Sequence, residues 1–370
     1  MAIPRIDVVY RLNGDPAQAT HRARLLAVEQ SIEMPPEAVT DARVLDEVVA
    51  RVEAVEPQAD GTSLARLQLA GETLCEDAGQ LMNMVFGNCS LQPDVELVDI
   101  DVPASLAQAF GGPGLGIDGL RRLTGAAGRP LTCTALKPIG ATLAQLEGLA
   151  AIFARTGIDV IKDDHGWANQ RSAPFAERIA ACQRAVRQAN EAVGGRAVYA
   201  PSLYGTQAQM QRQIEQARAL GITAVLVAPM VCGMATFNAL RRAHPQLAFI
   251  AHPALGGAAR IAPTALLGKL FRLFGADAVI FPNHGGRFSY PAEVCQAIAG
   301  HNRAPWHGLK ATLPVPAGGM SVERVPELKR EYGTDSMLLI GGSLLIARER
   351  LATRSRAFVE AVAAADRLAA

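Results

Sequence analysis

The sequence predicts an α/β protein in which a small N-terminal α+β domain precedes a C-terminal (β/α)8 barrel, the TIM-barrel fold. Three observations predict this fold. Short apolar runs recur eight times after residue 125, amphipathic helical stretches fill most of the intervals, and six of the eight runs end in polar residues or glycine pairs. Repeated strand–helix units of this kind build a parallel sheet covered by helices. The roughly 245 residues after position 125 also suit a barrel of this type.

The composition indicates a globular protein without a strongly charged partner. Of the 370 residues, 49% are hydrophobic and 19% are charged, so the chain can bury a large core. Thirty-six basic and 35 acidic residues leave a net charge of +1, which argues against nucleic-acid binding by phosphate neutralisation. The longest apolar runs, such as 224–231, are far shorter than the ~20 residues that span a bilayer. We therefore expect neither a nucleic-acid nor a membrane partner.

The cysteines and the first residues predict a cytoplasmic protein. Six cysteines are scattered along the chain without a C-x-x-C pair, a spacing that disfavours a zinc ribbon. The opening MAIPRIDVVYRL lacks the apolar segment that follows a basic start in secretory signal peptides. Free thiols and the absence of a signal peptide are both typical of the cytoplasm.

Residues 1–125 are predicted to form the α+β domain, which we assign as ferredoxin-like. Strands are expected at 6–12, 63–69 and 95–102, and helices at 16–31 and 74–85. A stretch rich in glycine and proline at 110–116, followed by Gly128-Arg129-Pro130, indicates the junction. The barrel is therefore assigned to residues 126–370.

Eight strands are predicted in the barrel domain. They lie at 131–136, 159–161, 197–200, 224–228, 248–251, 278–281, 315–317 and 337–340, with helices such as 143–156 and 207–220 between them. A doubly wound sheet is the alternative fold. The positions of the polar residues favour the barrel, because barrels gather their chemistry at the carboxyl ends of the strands.

The second strand ends in the tetrapeptide Lys162-Asp163-Asp164-His165. Alternation along a strand places Lys162 and Asp164 on one face, so both can point into the barrel mouth. Carboxylate oxygens and an imidazole are ligands for a divalent cation, which makes Lys162, Asp164 and His165 candidate metal-site residues. Asp163 faces the other way and is expected to be structural. A solvated acidic turn is the alternative interpretation.

Three further residues at strand ends are candidate catalytic groups. Lys137 ends the first apolar strand, where an unpaired ammonium is costly, so it is a candidate acid/base group. A salt-bridged lysine is the alternative. His252 and His284 follow the fifth and sixth strands, and their placement at adjacent strand ends favours a catalytic role over that of core or turn histidines.

Two glycine pairs follow the last two strands. Gly318-Gly319 ends the seventh strand and Gly341-Gly342 ends the eighth. Bare backbone N–H groups can bind an anion, and barrels commonly bind phosphate after these two strands. Tight turns would explain one pair alone, whereas two pairs at the two expected loops predict a phosphorylated ligand.

Several short strings spread over nearly the whole chain form a recognisable set. They are Ala27-Val28-Glu29-Gln30-Ser31, Phe86-Gly87-Asn88, Phe110-Gly111-Gly112-Pro113, Gly128-Arg129-Pro130-Leu131, Lys137-Pro138, Gly157-Ile158-Asp159-Val160-Ile161 leading into Lys162-Asp163-Asp164, and the two glycine pairs. Together with the order of the domains, these strings resemble the RuBisCO large-chain superfamily.

The departures from that pattern matter as much as the matches. The carboxylating enzymes hold Mg²⁺ with a lysine carbamate, an aspartate and a glutamate, and His165 stands where the glutamate should be. The sixth loop, 283–290, has no lysine, Ile139 replaces a second family lysine, and Pro253 replaces the arginine that grips a second phosphate. These changes argue against carboxylation of a bisphosphate, and the chain resembles the RuBisCO-like proteins of form IV.

The resemblance implies enolate chemistry on a phosphorylated substrate, with Mg²⁺ held by Lys162, Asp164 and His165. Lys162 would serve as a carbamate, although a histidine ligand weakens the preference for Mg²⁺ and leaves both the carbamate and the histidine ligation open. The resemblance also implies a head-to-tail homodimer, in which Glu29 and Asn88 of one chain complete the site of the other.

Three functions remain open on the sequence. The first is isomerisation or enolisation of a phosphorylated ketose such as 5-methylthioribulose 1-phosphate. The second is a decarboxylase (a lyase) or hydrolase of a phosphorylated 3-keto acid such as 3-oxo-isoapionate 4-phosphate, since loss of CO₂ passes through the same kind of enolate. The third, motivated by the missing glutamate, is a catalytically silent regulatory protein that keeps the barrel.

Overall fold

The computed structural model describes residues 4–364, and its N-terminal part is an antiparallel sheet covered by helices. The strands are β1 (Arg5–Leu12), β2 (Arg51–Pro57), β3 (Ser63–Ala70) and β4 (Val95–Asp101), in the spatial order β2-β3-β1-β4. Helix α1 (Ala19–Glu29) follows β1, and helix α2 (Ala78–Phe86) follows β3. The order of elements is βαββαβ, the order found in ferredoxin-like folds.

Strand β2 was not predicted, because its alternation of charged and apolar residues is short and breaks where Val55 follows Ala54. It pairs only with β3, at the edge of the sheet, and its register shifts between Val52 and Ala54. None of its residues is fully buried. Edge strands tolerate charged residues and bulges, so hydrophobic periodicity does not reveal them.

Two helices connect the sheet to the barrel. Helix α3 (Ala104–Phe110) ends at Gly111, whose φ of +83° is the left-handed conformation that glycine adopts without strain. Helix α4 (Gly116–Thr124) buries Ile117 and Leu120 against the interior side chains of the barrel strands. Although α4 lies before residue 126, it packs as part of the barrel. The division after residue 125 stays a prediction.

Eight parallel strands form the barrel. They are β5 (Leu131–Leu136), β6 (Val160–Asp163), β7 (Val198–Ala200), β8 (Ala224–Val227), β9 (Ala248–Ala251), β10 (Ala278–Pro282), β11 (Leu313–Ala317) and β12 (Met337–Leu339). Hydrogen bonds join them in two runs, β12-β5-β6-β7 and β8-β9-β10-β11. A bridge between Ser202 and Leu226 connects β7 to β8, and β11 lies beside β12. The sheet is thus closed, which confirms the predicted barrel.

Helices surround the strands. They are α5 (Leu143–Arg155), α6 (Phe175–Val193), α7 (Gln207–Ala219), α8 (Pro229–Cys232), α9 (Met234–Ala243), α10 (Pro263–Ala265), α11 (Phe271–Leu273), α12 (Ala292–Arg303), α13 (Val325–Tyr332), α14 (Gly342–Leu345) and α15 (Leu351–Ala363). Capping boxes start α5 at Thr142 and α7 at Thr206. Between residues 4 and 364, no helix combines the length and the apolar character needed to cross a membrane.

Shorter helical turns complete the secondary structure. The 3₁₀ turns are Pro16–Gln18, Pro36–Ala38, Gly71–Thr73, Asn88–Leu91, Val322–Arg324 and Arg348–Arg350, and the π-helical turns are Val44–Val48 and Leu266–Leu270.

Candidate active site

The alternation of side chains along the barrel strands directs several polar residues into the mouth. Leu131 and Cys133 of β5 and Val160 of β6 belong to the apolar cluster inside the barrel. Residues two positions apart share a face of a strand, so Lys137 continues the face of Cys133, and Lys162 continues that of Val160. By the same alternation, His252 continues the inward face of Ile250 in β9, and Gly341 continues that of Leu339 in β12.

Asp164 is the centre of the charged group at the mouth. Lys137 Nζ lies 2.7 Å from Asp164 Oδ1, and His165 Nδ1 lies 3.5 Å from the same oxygen. Burial raises the pKa of Asp164, but hydrogen bonds from His165 and Lys137 and the charge of Lys162 outweigh that effect, so the pKa lies below its usual value. The salt bridge that was the alternative interpretation of Lys137 is present, and it joins two of the predicted site residues.

Lys162 is buried beneath this group. The residue is only 3% exposed to solvent, and its Nζ donates a 3.1 Å hydrogen bond to the carbonyl oxygen of Asp163. Burial lowers the pKa of Lys162, since transfer out of water penalises the ammonium form. A larger fraction of neutral amine is the chemical condition for reaction with CO₂ to give a carbamate.

Asp163 has the structural role that its opposite orientation predicts. Its carboxylate is fully buried, receives a 3.1 Å bond from Arg178 Nε, and accepts 2.8 Å and 3.1 Å bonds from the Tyr199 hydroxyl and the Ser202 N–H. Arg178 Nη1 also donates to the carbonyl oxygens of Ala168 and Ala173 in the loop after β6. This network fixes the backbone that carries Lys162 and Asp164.

Arg178 was not predicted as a structural partner of the site, although the sequence contains a signal for it. Helix α6 buries Phe175, Ile179, Cys182 and Ala185 on one face, and Arg178 lies on that same face. A charged residue among buried apolar positions has a partner inside the protein, since its unpaired burial would be too costly.

His165 and His252 are stacked at the mouth. Their ring centroids lie 4.2 Å apart with an interplanar angle of 10°. Burial, followed by the positive charges of Lys162 and His165, lowers the pKa of His252 to about 2. His252 Nδ1 accepts a 3.1 Å hydrogen bond from the Ala254 N–H. The neutral ring therefore carries its proton on Nε2, where it can donate a hydrogen bond; the catalytic role of His252 stays a prediction.

The shifted pKa predicts a pH-dependent stability. The unfolded chain protonates His252 near pH 6.5, whereas the folded protein keeps it neutral down to about pH 2, so stability falls as the pH drops below 6.5. The expected loss is about 2 kcal/mol between pH 6.5 and 5. In urea unfolding of EDTA-treated protein, His252→Gln should flatten this slope. His21→Gln, at an exposed position of α1, should keep the wild-type slope, and equal slopes for all three proteins would contradict the prediction.

His284 follows β10 as predicted but engages a different element. Its Nε2 lies 2.7 Å from Glu331 Oε2 and 4.0 Å from Glu327 Oε1, both on α13. Within residues 4–364 it makes no hydrogen bond, ion pair or ring contact with Lys137, Lys162, Asp164, His165 or His252. The catalytic role of His284 stays a prediction, with Glu331 as the group that orients its ring.

The His284 cluster has the composition of a cation site. Ligand atoms of His284, Glu327 and Glu331 lie within 4.8 Å of one another. Arg324, however, contacts the Glu327 carboxylate through Nη2 at 2.8 Å and Nε at 3.2 Å, so a guanidinium already neutralises that carboxylate. We assign no metal ion to this cluster.

The glycine pairs offer unused backbone donors at the mouth. Gly318 and Gly319 have φ values of +83° and +64°, and a Cβ on Gly319 would come within 2.6 Å of Gly286 Cα. A Cβ on Gly341 would lie 3.9 Å from Lys137 Cε, which places this pair beside the charged group. No hydrogen bond within the described chain uses the N–H groups of Gly318, Gly319, Gly341 or Gly342. Phosphate binding by these groups stays a prediction that this geometry supports.

The two residues predicted to serve a partner's site lie together on the N-terminal domain. Asn88 Nδ2 donates a 3.1 Å hydrogen bond to Glu29 Oε1, and both side chains are accessible at this contact. Gln30, next to Glu29, is buried and donates to the carbonyl oxygen of Met84 at 2.7 Å. An anchored backbone therefore presents an amide and a carboxylate to the outside.

The donor set fits Mg²⁺ if Lys162 is carbamylated. Lys137 and His165 both contact Asp164 Oδ1, and Oδ2 makes no hydrogen bond within the part of the chain that the structure describes. A carbamate on the buried Lys162 amine would add hard oxygen ligands, and His165 would add one nitrogen. Without the carbamate, an ammonium would face the ion and the set would not fit.

Comparisons with known proteins agree with this architecture. The sequence model of the family "Ribulose bisphosphate carboxylase large chain, catalytic domain" matches residues 116–288. The 5-methylthioribulose-1-phosphate isomerase of Rhodospirillum rubrum is 51% identical over 362 residues, which cover 98% of this chain and 97% of that protein. The 2,3-diketo-5-methylthiopentyl-1-phosphate enolase of Geobacillus kaustophilus is 32% identical over 276 residues, which cover 72% of this chain and 67% of that protein.

A solved structure extends the likeness to the whole fold. The crystal structure of a Rubisco-like protein from Rhodopseudomonas palustris superimposes with a TM-score of 0.91 at 48% identity, covering 97% of this chain and 98% of that one. The resemblance predicted from the sequence strings is confirmed. The chain belongs to the RuBisCO-like proteins of the RuBisCO large-chain family.

Proposed function

We propose that this protein is a non-carboxylating RuBisCO-like enzyme that isomerises a phosphorylated ketose, with 5-methylthioribulose 1-phosphate as its substrate. The observation that carries the proposal is the convergence of Lys137, Lys162, Asp164 and His252 at the barrel mouth beside free glycine N–H groups. The similarity to the Rhodospirillum rubrum isomerase over almost the full length of both chains supports the substrate.

The residues divide the work by their chemistry. The N–H groups of the two glycine pairs bind the phosphate and fix one end of the substrate. Lys137 moves a proton between neighbouring carbons, while Asp164 at 2.7 Å balances the charge of the lysine. His252 donates its Nε2 proton to the substrate oxygen that gains negative charge. His284 is retained as a third catalytic candidate, acting from the side of β10.

Mg²⁺, held by carbamylated Lys162, Asp164 and His165, would supply Lewis-acid polarisation of the substrate carbonyl. The free Oδ2 of Asp164 and the burial that lowers the pKa of Lys162 support this assignment. A neutral His252 suits the same arrangement, because a protonated histidine beside the site would repel Mg²⁺.

The second candidate function is enolisation of a 2,3-diketo sugar phosphate, which the name of the Geobacillus kaustophilus relative favours. Both reactions remove a proton next to a carbonyl, so the same residues would serve either. We propose the isomerase because that relative is closer in identity and matches a larger share of both chains.

Product analysis tests the function. Purified protein with Mg²⁺ and bicarbonate is given 5-methylthioribulose 1-phosphate, 2,3-diketo-5-methylthiopentyl 1-phosphate or 3-oxo-isoapionate 4-phosphate. We expect turnover of the first, with deuterium entering from D₂O and no release of CO₂. Stoichiometric CO₂ from the third substrate would replace the isomerase by a decarboxylase, and no turnover of any of them would favour a regulatory protein.

A homodimer is part of the proposal, and exposed apolar residues support it. Five large hydrophobic side chains in the segments that follow barrel strands are exposed, namely Ile139, Val231, Leu255, Phe288 and Ile346. Exposed apolar residues gathered around one face favour contact with another protein surface. We propose that the N-terminal domain of a second copy covers this mouth and brings Glu29 and Asn88 to it.

The predicted cytoplasmic location is retained, and all six cysteines are free.

Mixing two defective variants tests the shared site. Lys162→Met damages the barrel part of each site, and Asn88→Ala damages the part from the partner. Random exchange of subunits at equal amounts should restore about a quarter of the wild-type activity, since half of the dimers are mixed and each has one intact site. Mixing Lys162→Met with Asp164→Asn should restore nothing, because every barrel is then damaged. Activity equal to the sum of the separate variants would contradict the dimer.

A further inference from the structure

A small pocket opens beside the stacked histidines, on the side of the mouth formed by the ends of β6 to β9. Its volume is about 140 Å³, and His165 and His252 form its inner edge. The rest of its wall includes apolar or weakly polar residues from β8 and from the segments that follow β7, β8 and β9, namely Leu203, Leu226, Ala228, Val231, Cys232 and Ala254. An apolar cavity of about 150 Å³ holds a benzene molecule, so this pocket has room for several heavy atoms.

Several backbone polar groups in the wall already have partners. The N–H and carbonyl of Tyr204 bond to the side chain of Gln213 at 3.1 Å and 3.0 Å. The Ser202 N–H donates a hydrogen bond to the Asp163 carboxylate, and the Leu203 N–H donates to the carbonyl oxygen of Leu226 at 2.9 Å. Burial raises the pKa of Cys232 to about 11, so it is an uncharged thiol at neutral pH. The wall contains no lysine or arginine to receive a second phosphate.

The pocket lies across the mouth from the glycine pairs. The strands follow one another around the barrel in chain order, and the pocket is centred on the ends of β7 and β8. The glycine pairs follow β11 and β12, four strands further around an eight-stranded circle. A substrate that binds its phosphate at the glycines and its carbonyl at the centre therefore directs its other end toward the pocket.

We propose that this pocket binds the apolar, thioether end of the substrate and selects for it, with Ala228 and Val231 as specificity-determining residues. The inference rests on the proposed function, since it concerns the same site. A thioether sulfur is a weak hydrogen-bond acceptor and its methyl group is apolar, so both suit a wall made largely of apolar side chains. A phosphate at this end would lose its water without gaining a cationic partner, because the wall contains no lysine or arginine.

The test compares two substrates that differ only at this end. They are 5-methylthioribulose 1-phosphate and 5-deoxyribulose 1-phosphate, which lacks the methylthio group. Wild type should favour the first by about 10- to 200-fold in kcat/KM, the range for small apolar groups in a fitted pocket. Ala228→Leu fills the pocket and should lower kcat/KM for the methylthio substrate at least about tenfold, and that for the deoxy substrate by less than about threefold.

A second variant and a control keep the test independent of folding. Val231 is 60% exposed, so Val231→Ser should fold normally while reducing the preference for the methylthio substrate by at least about threefold. Val193, 51% exposed at the end of α6, is the matched control, and Val193→Ser should leave the preference unchanged.

The outcomes separate this proposal from the proposed function. Turnover of both substrates by wild type, with a preference that neither pocket variant changes, would overturn the pocket and leave the isomerase intact. Equal losses on both substrates would also overturn it, because the pocket residues would then affect the common part of the substrate. Turnover of neither substrate by wild type would overturn both proposals.

Discussion

Lys162→Met should lower kcat/KM for 5-methylthioribulose 1-phosphate by at least about a thousandfold, the scale of the several kcal/mol that a bound cation contributes. Methionine matches lysine in shape but has no amine to carry a carbamate. The buried amine makes one hydrogen bond, to the carbonyl oxygen of Asp163, and its burial is costly. Losing the hydrogen bond destabilises the fold, whereas removing a buried ammonium group stabilises it. Because these effects oppose each other, the free energy of unfolding should change by less than about 1 kcal/mol.

The control for this prediction is a lysine far from the mouth. Lys310 precedes β11, at the opposite end of the barrel, and is exposed. Lys310→Met should keep wild-type kcat/KM. A folded Lys162→Met protein with more than about a tenth of wild-type activity would contradict the assigned role of Lys162. Undiminished function of that variant in cells would favour the silent regulatory alternative.

Arg178→Met should destabilise the protein by about 3–5 kcal/mol, the largest stability effect we expect from one side chain. Both partners of the Arg178–Asp163 pair are fully buried, so the substitution leaves a carboxylate inside the protein without a cation. The carbonyl oxygens of Ala168 and Ala173 lose their donor as well. Because these groups fix the loop after β6, activity should fall together with stability. Urea unfolding measures the effect.

Another arginine of α6 is the matched control. Arg187 pairs with Glu191 at 3.9 Å, and both side chains are about two-thirds exposed. Arg187→Met should cost less than about 0.5 kcal/mol, because exposed pairs are screened by water. Similar unfolding free energies for the two variants would show that the buried pair does not hold the end of β6.

The barrel could be predicted from the sequence because its strands are short apolar runs, six of which end in polar residues or glycine pairs. The same alternation predicted that Lys162 and Asp164 share a face and that Asp163 points away, and the network around Arg178 confirms the second point. Local patterns suffice for such predictions, since strand geometry alone fixes which side chains share a face.

Contacts between distant segments could not be predicted in this way. His165 and His252 stack although they belong to different strand ends, and no periodicity encodes that contact. His284 lies at the expected strand end, but its ring is held by Glu331 of α13, a residue with no motif of its own. Strand β2 was missed because an edge strand needs no apolar face.

The most direct test of the account is exchange of the substrate proton next to the carbonyl with solvent. We would follow 5-methylthioribulose 1-phosphate in D₂O by NMR, with wild-type protein supplied with Mg²⁺ and bicarbonate, with the same protein after removal of metal by EDTA, and with Lys162→Met. The account predicts exchange in the first sample and its loss in the other two. Exchange at the wild-type rate after metal removal, or in Lys162→Met, would contradict it.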